Sequence, residues 1–151
     1  MTTLAQAHDA LLLDLDGTVY LGGQPIDHVA PALARAAVLG ARSVFVTNNA
    51  SRPPAEVAAA LMSMGVAAER DDVLTSPQAA AAMLADRHPA GAKVLVIGAP
   101  WLEESVRQVG LEPVRLAALH RPERLKDLEI LHDTSDDARN KSRAPVEKLI
   151  N

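Results

Sequence analysis

A chain of 151 residues, 48% of them hydrophobic, is long enough for one domain with a sizeable core; with one Trp, one Tyr and one Phe, that core is built from Ala, Val, Leu and Ile. A net charge of −4 with no basic stripe argues against a nucleic-acid partner, and the lack of cysteine excludes disulfides and thiolate metal sites. No apolar stretch approaches membrane-spanning length, and the start Met1-Thr2-Thr3-Leu4 carries no basic segment, so the sequence predicts a cytoplasmic protein with no membrane partner.

The first predicted element is a strand over Ala10 to Leu15. Asp27 is positioned to cap a helix through Pro31 to Leu39, stopped by Gly40. Ser43-Val44-Phe45-Val46 reads as the next strand, running into Thr47-Asn48-Asn49. Ser51 and Pro53-Pro54 start a helix through Glu56 to Met64, ended by Gly65. Val73-Leu74 is a short strand, and Ser76-Pro77 opens an Ala-rich helix reaching Asp86. Lys93 to Ile97 is a strand, Trp101 to Val109 a helix, and Pro113 to Leu116 a last edge strand. Strands alternating with helices predict right-handed βαβ units around a parallel sheet, an α/β fold whose sites form at the carboxyl ends of the strands. Near Ala118 the Ala-rich composition gives way to a densely charged segment carrying Lys126, Lys141 and Lys148. Residues 1–118 therefore read as the core. Residues 119–151 read as a divergent tail with one helix from Arg121 to Leu131 and disorder beyond Asp133.

Asp14-Leu15-Asp16-Gly17-Thr18 closes the first strand. Residues two apart in a strand point to the same side, so Asp14 and Asp16 face one site, about 6–7 Å apart at their Cα atoms, while Leu13 and Leu15 turn into the core. Two carboxylates this close need a cation, a proton or an anion-binding role. Gly17 lets the chain turn tightly and Thr18 adds a hydroxyl. If the site transfers a phosphoryl group, Asp14 serves as the nucleophile that forms an aspartyl-phosphate. Asp16 then protonates the leaving oxygen and later activates water. Mg²⁺, a hard cation, would hold both carboxylates and screen them from the phosphate dianion. Thr47 would bond a phosphoryl oxygen, with backbone amides around Leu15, Asp16 and Asn48 completing the cradle.

Leu12-Leu13-Asp14-Leu15-Asp16-Gly17-Thr18-Val19-Tyr20 resembles the first motif of the haloacid dehalogenase-like phosphatases. Val46-Thr47-Asn48-Asn49-Ala50-Ser51-Arg52 resembles their second motif in the form used by the NagD-like branch, which includes 4-nitrophenyl, phosphoglycolate and glycerol 3-phosphate phosphatases. Thr75-Ser76-Pro77-Gln78-Ala79 and Val94-Leu95-Val96-Ile97-Gly98 are similar to that branch too, so the resemblance covers roughly residues 8–116. It implies a Rossmann-like three-layer parallel sheet. It also implies Asp14 as nucleophile and metal ligand, Asp16 as general acid/base and metal ligand through its carbonyl, and Thr47 with Asn48 as phosphate binders beside Gly17. The implied cofactor is Mg²⁺ and the implied substrate a small phosphorylated metabolite. The short path from Gly17 to Asp27 leaves no room for a cap domain there, which again fits the NagD-like branch.

Enzymes of that branch continue into a cap, a lysine that steadies the nucleophile, and an acidic motif that completes the metal site. Lys126 and Asp133-Thr134-Ser135-Asp136-Asp137 mimic the last two only superficially, because seven residues without an intervening helix cannot carry the lysine across a sheet. The sequence thus predicts a truncated relative. The alternative to an active phosphatase is an impaired remnant that at most binds phosphate or a protein. A half-sheet with an open edge and face predicts a homodimer or a poorly soluble chain. A phosphoacceptor signalling domain fits less well, since no acidic residue ends the Val44-Phe45-Val46 or Val94 to Ile97 strands. Among the rest, the five histidines lack metal-ligand spacing, Asp71-Asp72 reads as a solvated loop and Trp101 as a packing anchor. Glu103 and Glu104 suit the dipole of a helix start, and Arg52 is open between substrate contact and plain surface.

Overall fold

The computed structural model describes residues 2–115 and 129–132. Contacts divide them into two units, the first formed by residues up to Thr47 together with Pro53–Thr75, the second by Asn48–Arg52 and the chain from Ser76 onward.

The first unit is a parallel three-stranded sheet of order β1-β4-β5, with β1 at Ala10–Asp14, β4 at Arg42–Thr47 and β5 at Val73–Thr75. Leu13 pairs with Phe45 and Phe45 with Val73, which places these three on one face. Helices α2 (Val29–Val38) and α3 (Pro54–Ser63) cover that face: Ala30, Leu33, Val57, Ala58 and Leu61 join Leu13, Leu15, Phe45 and Val73 in one cluster. The alternate residues form the other face, where Leu12 is 75% and Leu74 41% exposed. Parallel sheets are normally covered on both faces, so this face is the unusual feature of the unit.

Helix α3 starts as its sequence predicts, with Pro54 in the first turn, where a missing N–H costs nothing. Helix α2 does not. It begins at Val29 behind His28, which sits at φ 70°, and no side chain caps it, so the predicted Asp27 cap is corrected. A short helix α1 (Leu4–Ala7) and a hairpin of β2 (Tyr20–Leu21) and β3 (Gln24–Pro25) were not legible in the apolar pattern. The hairpin turns on Gly22-Gly23, both at positive φ, the geometry of a two-residue type I′ turn. It fills the path from Gly17 to α2, and no domain is inserted there.

The second unit holds another parallel sheet, of order β7-β6-β8, with β6 at Lys93–Ile97, β7 at Glu112–Val114 and β8 at Glu129–His132. Its helices are α4 (Ser76–Ala85) and α5 (Pro100–Gln108). Ala50, Val94, Val96, Leu102, Val106 and Leu111 make its core, with Leu84 and Ala85 of α4 packed against them. Trp101 is buried in α5, as its anchoring role predicts. Glu103, read as a helix-dipole acid, is also buried and ion-pairs with Arg107 at 3.2 Å and with Arg115. This pairing ties the residue after β7 back to α5. The predicted helix from Arg121 to Leu131 is corrected at its end: Glu129 to Leu131 belong to β8, paired in register with Val94 to Val96. Backbone pairing to an existing parallel strand outweighs the i, i+3 spacing of Leu128 and Leu131. The rest of that helix and the predicted disorder beyond Asp133 lie outside the described residues.

Asp72, predicted in a solvated loop, instead ends a single 3₁₀ turn over Arg70–Asp72 that leads into β5. Its carboxylate accepts the Glu69 amide N–H at 3.0 Å and two bonds from the Arg42 guanidinium at 3.0 and 3.1 Å. Arg42 also donates to the Asp71 carbonyl, clamping the starts of β4 and β5 together. The Glu69 amide does most to hold Asp72 below the ordinary carboxylate range; burial opposes it, and the Arg42 hydrogen bond and charge lower it further. A depressed folded-state pKa stabilises the fold at pH values above the unfolded pKa of 3.8, and that contribution is lost as pH falls through the folded value. Asp72→Asn should therefore lower the urea midpoint at pH 7 and flatten its fall below about pH 4; an acid limb as steep as that of the wild type would contradict this.

Candidate active site

β1 delivers Asp14 as its last residue. The chain then turns around Leu15, whose carbonyl accepts the amides of Val19 at 2.9 Å and Tyr20 at 3.1 Å. Gly17 donates to the Tyr20 carbonyl at 2.7 Å while holding φ 82°, a conformation that L side chains rarely adopt. Leu15 and Val19 are 1% exposed and act as the buried pegs of this turn. Asp14, Asp16, Gly17 and Thr18 are exposed, so the alternation of carboxylates outward and leucines inward is as the sequence predicts.

Thr47 ends β4, the strand adjacent to β1, and is buried at 6% exposure. Asp14 pairs with Val46, one residue before Thr47. Strand spacing and one residue of rise put the Asp14 and Thr47 Cα atoms within about 6 Å of each other. Parallel pairing thus brings Asp14, Asp16, Gly17 and Thr47 to one end of the first unit. Asn48, bonded to Thr47, is exposed and belongs to the second unit. There the Ser76 hydroxyl donates to the Asn48 carbonyl at 3.0 Å, and the Asn49 side-chain oxygen accepts both the amide and the hydroxyl of Ser51, at 2.9 and 2.6 Å.

In the sequence, Thr75 falls within the similar stretch Thr75-Ser76-Pro77-Gln78-Ala79, with no role of its own. It stands in register beside Thr47 at the end of β5 and is 1% exposed. The signal available was a second threonine ending a second predicted strand. Among the described histidines, His8 and His28 are exposed and His88 is half-buried. No group of three His, Cys, Asp or Glu side chains gathers among the described residues. The two exposed carboxylates are hard oxygen donors of the kind Mg²⁺ prefers, and Mg²⁺ commonly takes only one or two carboxylates alongside waters and substrate phosphate. The donors present fit such an ion. Among the described residues, no helix is long and apolar enough to cross a membrane.

Residues 11–112 match the haloacid dehalogenase-like hydrolase family. The chain belongs to that family. It is 48% identical over 115 residues to the D-glycerol 3-phosphate phosphatase of Mycobacterium tuberculosis, covering 76% of this chain and 32% of that protein. It is 38% identical to the acid sugar phosphatase of Staphylococcus saprophyticus, covering 69% of this chain and 40% of that one. Among solved structures, the glycerol phosphate phosphatase of M. tuberculosis in complex with magnesium matches with a TM-score of 0.80 and 39% identity, over 99% of this chain and 43% of its own. A p-nitrophenyl phosphatase from Archaeoglobus fulgidus matches with a TM-score of 0.63 and 30% identity, over 70% and 40%. The Rossmann-like architecture and the NagD-like affinity inferred from the motifs both hold in these relatives. This chain spans about a third to two fifths of the curated relatives' length.

A Cβ added at Gly17 meets nothing within 4 Å, so replacing this residue tests backbone strain alone. Gly17→Ala should cost about 1–2 kcal/mol in a urea titration, and Gly17→Asn clearly less, because Asn tolerates the left-handed region. Equal losses for the two would show that strain is not what the glycine relieves.

Proposed function

We propose that this chain is a Mg²⁺-dependent phosphomonoesterase acting on small phosphorylated metabolites. The observation that carries the reading is the pair Asp14 and Asp16, outward-facing at the carboxyl end of β1, beside buried Thr47 on the adjacent parallel strand. An Asp14 carboxylate oxygen attacks phosphorus and the ester P–O bond breaks. Asp16 gives its proton to the departing alkoxide, releasing an alcohol. Asp16 then takes a proton from water, whose oxygen attacks the aspartyl-phosphate; the bond to Asp14 breaks and inorganic phosphate leaves. Thr47 and Asn48 bind phosphoryl oxygens, and Gly17 allows the backbone to approach them closely. Asp14 through its carboxylate and Asp16 through its main-chain carbonyl would hold a magnesium ion, which would offset the charge between carboxylates and substrate. Relatives named for glycerol 3-phosphate and acid sugars support a small polyol or sugar phosphate as the substrate class.

The test is hydrolysis of 4-nitrophenyl phosphate with and without Mg²⁺. Turnover should depend on Mg²⁺, vanish in Asp14→Asn, and fall about 10²–10⁴-fold in Asp16→Asn. Equal background in every sample would sink the enzyme. It would leave the second reading, a catalytically impaired domain that at most binds phosphate or a protein.

For the assembly, the exposed Leu12 and Leu74 face and the unpaired outer edge of β1 among the described strands support a homodimer. Size-exclusion chromatography with light scattering should give twice the chain mass of 16.0 kDa; a monodisperse monomer would refute it.

A further inference from the structure

The similarity of Thr75-Ser76-Pro77-Gln78-Ala79 to the family assigns no role to these residues, and the reaction outlined above uses none of them. The geometry points to Ser76 as a positioning residue for the phosphate-binding turn after Thr47, an inference that rests on the phosphatase reading. β4 and β5 run parallel and end side by side at Thr47 and Thr75. Each strand hands its chain to the next residue at the same level, so Asn48 and Ser76 emerge as neighbours. The Ser76 hydroxyl donates to the Asn48 carbonyl at 3.0 Å.

A trans peptide is planar, with its C=O and N–H pointing in opposite directions. Holding the Asn48 carbonyl toward Ser76 therefore fixes the Asn49 N–H on the opposite side of the plane. The next link is held as well, because the Asn49 side chain is engaged by Ser51. The turn that presents Thr47 and Asn48 is thus held by polar contacts at Asn48 and Asn49 together with the burial of Thr47 and Ala50. Ser76 is half-buried at the start of α4, and Pro77 after it has no amide to cap. Losing the hydroxyl releases one peptide plane in the turn without opening a cavity.

The experiment titrates the intact chain with inorganic phosphate in the presence of Mg²⁺ by calorimetry, comparing wild type, Ser76→Ala, Ser76→Thr and Thr47→Ala. The loss of one neutral hydrogen bond should weaken phosphate binding in Ser76→Ala about 5-fold. Ser76→Thr, which keeps the hydroxyl, should stay within about twofold of wild type. The thermal midpoint and the Mg²⁺ affinity without phosphate should be unchanged in Ser76→Ala. Normal phosphate affinity in Ser76→Ala, beside a weakened Thr47→Ala, overturns the positioning role alone. Parallel loss of phosphate affinity, Mg²⁺ affinity and thermal midpoint in Ser76→Ala overturns it in favour of a purely structural serine. No phosphate binding by the wild type overturns the phosphatase reading and this inference together.

Discussion

Parallel pairing of β1, β4 and β5 is the constraint on which everything else in the first unit depends. Parallel strands end at one edge of a sheet, so residues far apart in sequence arrive at the same level. Asp14 and Thr47 become near neighbours because Asp14 is opposite Val46, and Thr75 joins them because it is opposite Thr47. The register is held at both ends by different means. At the starts of the strands Arg42 bridges to Asp72, and in the interior Phe45, at 0% exposure, anchors the hydrophobic cluster. A one-residue slip would turn Phe45 out and put the threonines on the wrong face.

The turn after β1 shows how local chemistry and packing divide the work. Leu15 and Val19 bury their side chains, the carbonyls of Leu15 and Tyr20 close the turn, and Gly17 accepts the positive φ. The carboxylates on either side of Leu15 are left outward. Among the described residues no third acidic, His or Cys side chain gathers with them. Such an arrangement suits a site whose remaining partners are a cation and a phosphate.

Legibility differed between elements for identifiable reasons. Strand β6 and helices α3 and α4 followed their apolar runs and their Pro or Ser starts closely. The Gly22-Gly23 hairpin is not legible in the sequence because its strands are two residues each, too short for a period to show. The start of α2 differs from the sequence expectation because an Asp before an apolar run is a common cap, whereas here the chain reaches the helix through a left-handed His28. Strand β8 is hidden in the sequence because Leu125, Leu128 and Leu131 carry helical spacing, whereas pairing with β6 is a long-range contact that no local pattern contains.

The sequence by itself determined the family: the motifs around Asp14-Leu15-Asp16-Gly17 and Thr47 lie within residues 11–112, which match it, and they name the candidate residues of the proposed phosphoryl transfer. Alternation in a strand also told which side the aspartates face, because a period of two is a local property. Tertiary structure alone decided that Thr75 stands beside Thr47, that Ser76 holds the Asn48 carbonyl, and that Leu12 and Leu74 are left on an open face. These facts depend on the register between strands far apart in sequence, and register is set only when the sheet assembles.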